Sequence, residues 1–380
     1  MAIRMKKRIL SLFFAIIMTL SSVTFVSAAS PSTKLTPKTA SETVALSFMK
    51  NSLSEAVKIS ETTPYYDLDG NVTAYCISFS LEGKPSGYVL ISLLDLDNPI
   101  VEFSFDGNGI TNTIRKMQNS VYRTAGDRII FLGAGALFVQ DNRGDNLYDV
   151  VTHERYSATE LDTAYKKATG ALLTRNDVVI ADGILNWVDS GIDSSTIEKI
   201  QEFGSGTDYW LMSQFSTGNV CSPTCATNIL WYWGVQRGRS WAVVNGTLSG
   251  YDLAEGLFTA MRLQMGTVSS LGTLDVRIRD AYTNFLGFRG TNFNTRVLTQ
   301  NSYSSFTDAI DDQCPVHTML RNQSIFSTGH DVMTFGYGQS TSGTDYLFVM
   351  DGWYSYGRFV NFDFYPIVKG VKVWVGSTPN

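Results

Sequence analysis

One short stretch, residues 218–234, constrains the fold of this chain more than any other. A small polar loop delivers Cys221, Pro223 follows two residues later, and an apolar run ends at Gly234. Proline is well tolerated in the first helical turn and glycine commonly follows the last, so the stretch predicts a short buried helix that begins at Cys221. The dipole and unpaired N–H groups of a helix N-terminus favour the thiolate, the nucleophilic form of cysteine. The alternative is a buried structural cysteine, a common environment for a free thiol.

The first 28 residues have the pattern of a secretory signal peptide. Basic residues come first, a short apolar segment spans residues 9–20, and small residues precede Ala29. The apolar segment is too short for a comfortable span, so we expect cleavage, secretion and no stable membrane insertion. Removal of this segment, with its four basic and no acidic residues, changes the net charge from −5 to −9. An acidic chain without a Lys/Arg-rich tract is not expected to bind nucleic acid.

The cysteine spacing does not indicate a disulfide-rich scaffold. The chain has 380 residues and four cysteines, of which only Cys221 and Cys225 lie close in sequence. Export to an oxidising compartment would allow a disulfide bridge between Cys225 and Cys314. A reactive thiol outside the cell would also need protection until its use.

The N-terminal part has the pattern of an α+β module. A linker at residues 31–39 is followed by a helical pattern from Ser41 to about Val57, and then by alternating segments typical of strands. The predicted strands are Val72–Leu81, Gly87–Leu94 and Ile100–Phe105; Thr111–Tyr122 and Ala158–Ala168 favour helices, and Arg128–Val139 is an apolar, glycine-interrupted segment. Small, polar residues within 189–208 indicate a domain boundary. We therefore predict a signal peptide at 1–28, a first domain at 29–200 and a second at 201–380.

The C-terminal part places helices first and strands later, which favours an α+β fold. Beyond the Cys221 helix, the predicted helices are Asp252–Met265, Leu274–Leu286 and Ser304–Asp311. The predicted strands are Pro315–Arg321, Asp331–Tyr337, Tyr346–Asp351, Phe359–Phe362 and Val371–Val375.

Only three histidines are available as a base for Cys221. His153 lies in the first domain, and His317 lies inside a predicted strand, where a packed or surface role is the simpler interpretation. His330 follows a glycine at a loop-to-strand junction, where an exposed base beside a pocket is expected. A buried structural histidine is the alternative for this position.

Two further residues complete a candidate acyl-transfer site. A base needs an acceptor for the N–H on its far ring nitrogen, and Asp351 ends a strand 21 residues after His330, about the length of a hairpin. Trp353 could shield that hydrogen bond from water. Gln214 lies seven residues before Cys221 and could donate to an oxyanion together with the Cys221 N–H. The alternatives are a turn role for Asp351, which precedes glycine, and an ordinary surface role for Gln214.

The order Gln214, Cys221, His330, Asp351 resembles the papain superfamily of cysteine peptidases. Cys-Ser-Pro-Thr at 221–224 is similar to the Cys-Gly-Pro-Thr/Ala motif of streptopain and of the bacteriocin-leader-peptidase-like families, with serine in place of the usual glycine. Gly-His at 329–330 followed by Gly-Tyr at 336–337, and Asp-Gly-Trp at 351–353, resemble two further elements of those families. The similarity covers residues 209–375, and residues 87–92 with 99–104 are similar to the streptopain-type propeptide.

This resemblance implies a papain-like catalytic domain, with N-terminal helices that include the nucleophile helix and a C-terminal antiparallel sheet, preceded by an α+β pro-domain. It implies a secreted zymogen that hydrolyses peptide or protein substrates through Cys221, His330, Asp351 and Gln214, and it implies no metal or cofactor. The first domain would then be an intramolecular inhibitor. In papain's own motif the second cysteine attacks, so Cys225 also has to be considered, although its position one turn into the helix favours Cys221.

Two other functions remain open from the sequence. The same acyl-enzyme could pass to an amine, which would make the protein an acyltransferase or amidase. The fold could also be a catalytically silent surface binding module.

Overall fold

A computed structural model of the chain describes one compact unit within Thr36–Asn380. The described residues are 36–96, 98–107, 109, 111, 114, 125–132, 137–141, 143–150, 155–159, 161, 181, 184, 191–200, 209–215, 218–239, 248–268, 272–289, 292–298, 302–321, 329–365 and 367–376. The predicted signal peptide, His153 and most of the helices predicted at 111–122 and 158–168 lie outside them. The proposed boundary between residues 200 and 201 also adjoins residues outside this set and stays a prediction.

Six α-helices occur in the described part of the chain. They are α1 (Pro37–Ser52), α2 (Met212–Phe215), α3 (Cys221–Trp231), α4 (Gly250–Met265), α5 (Asp275–Gly287) and α6 (Tyr303–Asp311). The α3 helix continues into a π-helical turn, Tyr232–Gln236. None of the described helices is long and apolar enough to span a membrane.

Fifteen strands are described. They are β1 (Lys58–Tyr66), β2 (Val72–Leu81), β3 (Lys84–Ser92), β4 (Ile100–Ser104), β5 (Ala125–Phe131), β6 (Leu137–Asp141), β7 (Asn146–Asp149), β8 (Arg155–Ser157), β9 (Glu198–Lys199), β10 (Phe293–Leu298), β11 (Val316–Arg321), β12 (Gly329–Gln339), β13 (Asp345–Met350), β14 (Arg358–Asn361) and β15 (Ile367–Val375).

These strands form one hydrogen-bonded sheet. Its order is β10-β15-β11-β12-β13-β14-β4-β3-β2-β1-β5-β6-β7-β8, and β9 pairs separately with β12. The pairs from β10 to β14 are antiparallel, as predicted for the C-terminal part. The parallel contact of β1 with β5 makes the whole sheet mixed.

The strands β4 and β14 join the N-terminal and C-terminal parts of this sheet. Phe359 pairs with Phe103, and Val360 pairs with Glu102. The rings of Phe103 and Phe359 stack with their centroids 4.8 Å apart. An acidic residue of the first predicted domain is thereby placed beside the strand that follows Asp351.

The core beside the candidate site forms between α3, α4, α5 and one face of the C-terminal strands. Helix α3 contributes Cys225, Ala226, Ile229 and Leu230, all buried, and strands β11 to β13 contribute Met319, Met333, Phe335 and Met350. The long apolar face of α3 explains its burial, because a helix must cover such a face with another layer. This packing fixes the start of α3 against β12.

The α+β prediction is confirmed for the described residues, with several corrections to its elements. The segment Arg128–Val139 contains parts of two strands, β5 and β6, and not a single element. Strands β1 and β10 were not predicted. Both consist mostly of partly or fully exposed residues, so neither has the clear apolar alternation from which a strand is recognised.

Candidate active site

Helix α3 begins at Cys221, as the sequence predicted. Val220 occupies the N-cap without a side-chain cap, and its carbonyl accepts the first helical hydrogen bond from Thr224 N at 3.1 Å. The Cys221 side chain is half-buried, whereas Cys225 is 3% exposed and belongs to the core. All four cysteines are free thiols, so the bridge between Cys225 and Cys314 that the sequence left open does not form.

The surroundings of Cys221 do not favour its thiolate. Burial raises the pKa of its thiol to about 12, and the negative charge of Asp331 adds to this rise. The N–H groups of Asp331 and Ser222 and the charge of Arg321 lower the pKa, but they do not offset burial. A helix N-terminus alone would favour the charged form. Here desolvation is the larger effect, so the thiol is neutral.

Asp331 anchors the start of α3 to the sheet. Its Oδ2 accepts a hydrogen bond from Ser222 Oγ and lies 3.2 Å from His317 Nε2, while Oδ1 lies 2.5 Å from Arg321 Nη2. Burial would raise the pKa of this carboxyl, but Arg321, His317 and Ser222 hold it well below its usual range. The serine that replaces the usual motif glycine therefore has a structural role.

His317 is fully buried and also contacts Tyr282 Oη at 3.0 Å, which agrees with the packed role expected for it.

His330 lies at the second position of β12, on the strand that Asp331 continues. A Cβ at the preceding Gly329 would come within 2.4 Å of Arg321 Cδ and 2.8 Å of Leu320 O, so glycine is required there. The His330 ring stacks on Trp353 with centroids 4.1 Å apart. Its Nε2 lies 2.7 Å from the backbone oxygen of Asp351.

The His330 ring is neutral in this structure. Burial, followed by the charge of Arg358, lowers its pKa to about 3, despite the hydrogen bond to the Asp351 backbone. Nδ1 is buried and has no hydrogen-bond partner among the described residues, so it is not bonded to Cys221 Sγ. The structure thus contains an uncharged thiol and an uncharged imidazole in place of a thiolate–imidazolium pair.

The Asp351 carboxylate does not contact His330. Oδ1 accepts hydrogen bonds from Trp353 N at 2.8 Å and Tyr354 N at 3.2 Å. Oδ2 lies 3.0 Å from Arg358 Nε, although the N–H does not point at this oxygen, so the contact is an ion pair and not an aligned hydrogen bond. Burial raises the Asp351 pKa, opposed by Arg358 and by the two N–H groups.

Arg358 connects Asp351 to the N-terminal strands. Its Nη1 lies 2.5 Å from Glu102 Oε2, and Glu102 Oε1 accepts a hydrogen bond from Tyr88 Oη. The guanidinium carbon lies 5.0 Å from the centroid of the Trp353 ring, within the range of a cation–π contact. Arg358 is 3% exposed and Glu102 is 9% exposed.

Gln214 is an exposed residue of helix α2, which precedes Cys221. Its Oε1 accepts a hydrogen bond from Leu211 N at 2.6 Å, and its Nε2 makes no hydrogen bond to any described residue. The loop before α2 is tied to α3 because Asn228 Oδ1 accepts from Trp210 N at 2.9 Å, and Asn228 Nδ2 donates to Trp210 O at 3.1 Å. Among the described residues, the Gln214 amide therefore has donors without a partner, on a segment held against the Cys221 helix.

Gly352 lets the turn after β13 approach both helices. Its φ is +76°, and a Cβ there would lie 3.1 Å from Met212 Cγ and 3.3 Å from Thr224 Cγ2. Its carbonyl accepts a hydrogen bond from Met212 N at 2.8 Å. Cys221 and Trp353 pack against a common apolar cluster. The segments that carry the four predicted site residues therefore converge, although the four side chains make no hydrogen bond with one another in the described structure.

A small cavity adjoins His330 and is shared with the N-terminal strands. The C-terminal part of its lining comes from His330, Trp353, Arg358, Phe364 and Tyr365, and the N-terminal part from Leu90, Val101, Glu102, Phe131 and Leu137. The N-terminal strands thus cover one side of the candidate base.

The sequence reasoning missed Glu102, Arg358 and Asn228. Asn228 gave only a weak signal, because the same helix also contains Ser222, Thr224 and Thr227 as polar residues. Arg358 opens a short apolar strand just after the Asp-Gly-Trp element, which is a weaker signal. Glu102 lies 256 positions before Arg358, and no local pattern links the two.

Comparison with known proteins finds a family match for part of the chain. Residues 207–374 match the sequence model of the Peptidase_C39 like family, and this region contains all four predicted site residues. The match supports a cysteine peptidase of the papain-like clade. No curated protein matches the chain.

Proposed function

We propose that the protein is a secreted cysteine peptidase, made as a zymogen, with Cys221 as nucleophile and His330 as base. The family match over residues 207–374 is the observation on which this proposal depends most. The convergence of the Cys221 helix, the start of β12 and the Asp351 turn supports it, because nucleophile, base and orienting group must lie together for acyl transfer. Residue 351 orients His330, and Gln214 with the Cys221 N–H forms the oxyanion site.

The reaction starts from neutral groups. Cys221 Sγ gives its proton to Nδ1 of His330 and attacks the peptide carbonyl carbon, while the oxyanion accepts hydrogen bonds from the Cys221 N–H and Gln214 Nε2. His330 then protonates the leaving amine nitrogen as the C–N bond breaks, which leaves a thioester. Water gives a proton to His330 and attacks the thioester, and the thiol reforms as the acid leaves.

The first predicted domain, residues 29–200, acts in this proposal as an inhibitory pro-domain. Leu90, Val101 and Glu102 cover the His330 side of the site, and burial is the first cause of both the high Cys221 pKa and the low His330 pKa. Removal of the cover would hydrate His330 and raise its pKa towards that of Cys221, which favours the ion pair needed for attack. Secretion by the N-terminal signal would expose a reactive thiol to an oxidising environment, and an inhibitory pro-domain would protect the thiol until its use.

The test compares Cys221→Ser with Cys225→Ser in protein recovered from the culture medium. Hydrolysis of casein and labelling by an epoxide inhibitor of cysteine peptidases are measured for both variants and the wild type. We expect both signals to disappear in Cys221→Ser and to remain in Cys225→Ser, which replaces a core thiol four residues away. Hydrolysis that survives Cys221→Ser would rule out the proposal.

The zymogen part has a separate test. N-terminal sequencing of the mature secreted protein should find a start between residues 175 and 208. A mature protein that starts at Ala29 and hydrolyses casein at full rate would show that residues 29–200 are not an inhibitor.

A further inference from the structure

The orienting group of His330 is a main-chain carbonyl in this structure. Nε2 of His330 lies 2.7 Å from the Asp351 carbonyl oxygen, and both residues are buried. A carbonyl oxygen only accepts hydrogen bonds, so Nε2 must carry the hydrogen in the neutral ring. Nδ1 then has the lone pair, and it is the nitrogen without a partner among the described residues. The carbonyl therefore selects the tautomer in which Nδ1 can accept a proton.

The Asp351 side chain has other partners. Trp353 N and Tyr354 N donate to Oδ1, which closes a turn of the type that Asp and Asn side chains form with the backbone two or three residues on. Oδ2 is neutralised by Arg358. These contacts fix the peptide that carries the 351 carbonyl and also fix Trp353, on which the His330 ring stacks.

We propose that the main-chain carbonyl of residue 351 orients His330, and that the Asp351 carboxylate and Arg358 are positioning residues that hold this carbonyl in place. The inference rests on the proposed peptidase function, in which Cys221 is the nucleophile and His330 the base. It assigns the group that orients the base. The carboxylate acts on His330 only through the turn that it closes.

The charges around Arg358 show why an amide could replace the Asp351 carboxylate. Two buried carboxylates, Glu102 and Asp351, share the Arg358 guanidinium. An asparagine at 351 would keep an oxygen for Trp353 N and Tyr354 N and would leave Glu102 and Arg358 as a balanced pair. The other charged groups that act on His330 are Asp331 on its own strand and Arg321 on β11, and this change leaves both in place.

Three variants of the full chain test the proposal: Asp351→Asn, Asp351→Ala and, as a matched control, Asp67→Asn. Asp67 is also buried and also accepts a backbone hydrogen bond, from Asn71 N at 2.8 Å, but it lies in the turn after β1. If the carbonyl orients His330, kcat/KM of Asp351→Asn stays within about tenfold of wild type, because the turn keeps a neutral acceptor. Asp351→Ala opens the turn, and its kcat/KM should fall about 10²-fold, as expected when a catalytic group is misplaced.

Nitrogen-15 NMR of the histidine ring supplies a readout that needs no turnover. In the wild type and in Asp351→Asn the His330 signals should show hydrogen on Nε2 and a lone pair on Nδ1, and the pH profile of kcat should be shared.

Each failure has its own signature. A loss in Asp351→Asn as large as in Asp351→Ala, with folded protein and an active wild type, would overturn the carbonyl assignment and leave the peptidase proposal intact. Hydrogen on Nδ1 of the wild-type ring would also overturn it. Hydrolysis that persists in Cys221→Ser would instead overturn the peptidase proposal.

Discussion

Glu102 Oε2 on strand β4 lies 2.5 Å from Arg358 Nη1 on strand β14. This buried ion pair joins a residue of the N-terminal strands to the guanidinium that also neutralises Asp351. The candidate site therefore includes a charge from outside the region that matches the peptidase family.

Arg358→Gln should destabilise the chain strongly. The variant leaves Glu102 and Asp351 as buried carboxylates without a cation, and loss of one partner of a buried ion pair costs about 3–5 kcal/mol. Urea denaturation should show this decrease in the free energy of unfolding. The double variant Glu102→Gln, Arg358→Gln should recover part of it, because one stranded charge is removed. Arg279→Gln, which removes an exposed pair with Asp280, serves as control, and an equal loss in that variant would contradict the prediction.

The alkylation rate of Cys221 should rise with pH without a plateau between pH 7 and about 10. Its pKa is raised to about 12 by burial and by Asp331, and only the thiolate reacts. Asp331→Asn removes the charge that raises this pKa, so alkylation by iodoacetamide at pH 8 should become faster. The rate is read by peptide mass spectrometry, with Cys221→Ser for background. A plateau near pH 7 in the full-length wild type would show that the thiolate is already favoured.

Gly352→Ala should reduce both stability and activity. The φ of +76° disfavours any side chain, and the new Cβ would press on Met212 and Thr224. Gly343→Ala is a matched control, because Gly343 has a φ of +93° and no atom lies within 4 Å of the place that an added methyl group would occupy. Both variants should lose about 1 kcal/mol from backbone strain. Only Gly352→Ala should also lower kcat/KM, since it separates the 351 turn from α2 and α3. Equal kinetic effects of the two variants would contradict the role given to this contact.

Gln214→Ala should lower kcat with little change in KM. Its side-chain Nε2 makes no hydrogen bond to any residue that the structure describes, and removal of one oxyanion donor costs about 10²–10³-fold in kcat. Ser213→Ala, at the neighbouring exposed position of α2, is the control and should behave like the wild type. Steady-state kinetics on a fluorogenic peptide give both parameters, and a rise in KM alone would assign Gln214 to substrate binding.

The elements with strong local signals were predictable. Pro223 and the apolar run placed the start of α3 at Cys221, and β-rich runs located β12 and β13 to within a few residues. Gly329 and Gly336 stood out in the sequence, and the structure explains them by close approaches to Leu320 O and Glu198 O. Weakly patterned strands such as β1 and β10 were missed, because both consist mostly of partly or fully exposed residues and lack a clear apolar alternation.

The sequence by itself determined an α+β chain with a cysteine at a helix start, a histidine at a strand start and an Asp-Gly-Trp turn in a peptidase-like order. These features depend on local periodicity, proline and glycine. Only the tertiary structure decided the charge states of Cys221 and His330, the hydrogen bond between His330 and the main-chain carbonyl of residue 351, and the ion pair of Glu102 with Arg358. Each of these depends on burial and on charges brought together from distant positions, and desolvation in the folded chain exceeds the local helix-terminus effect from which a thiolate was expected.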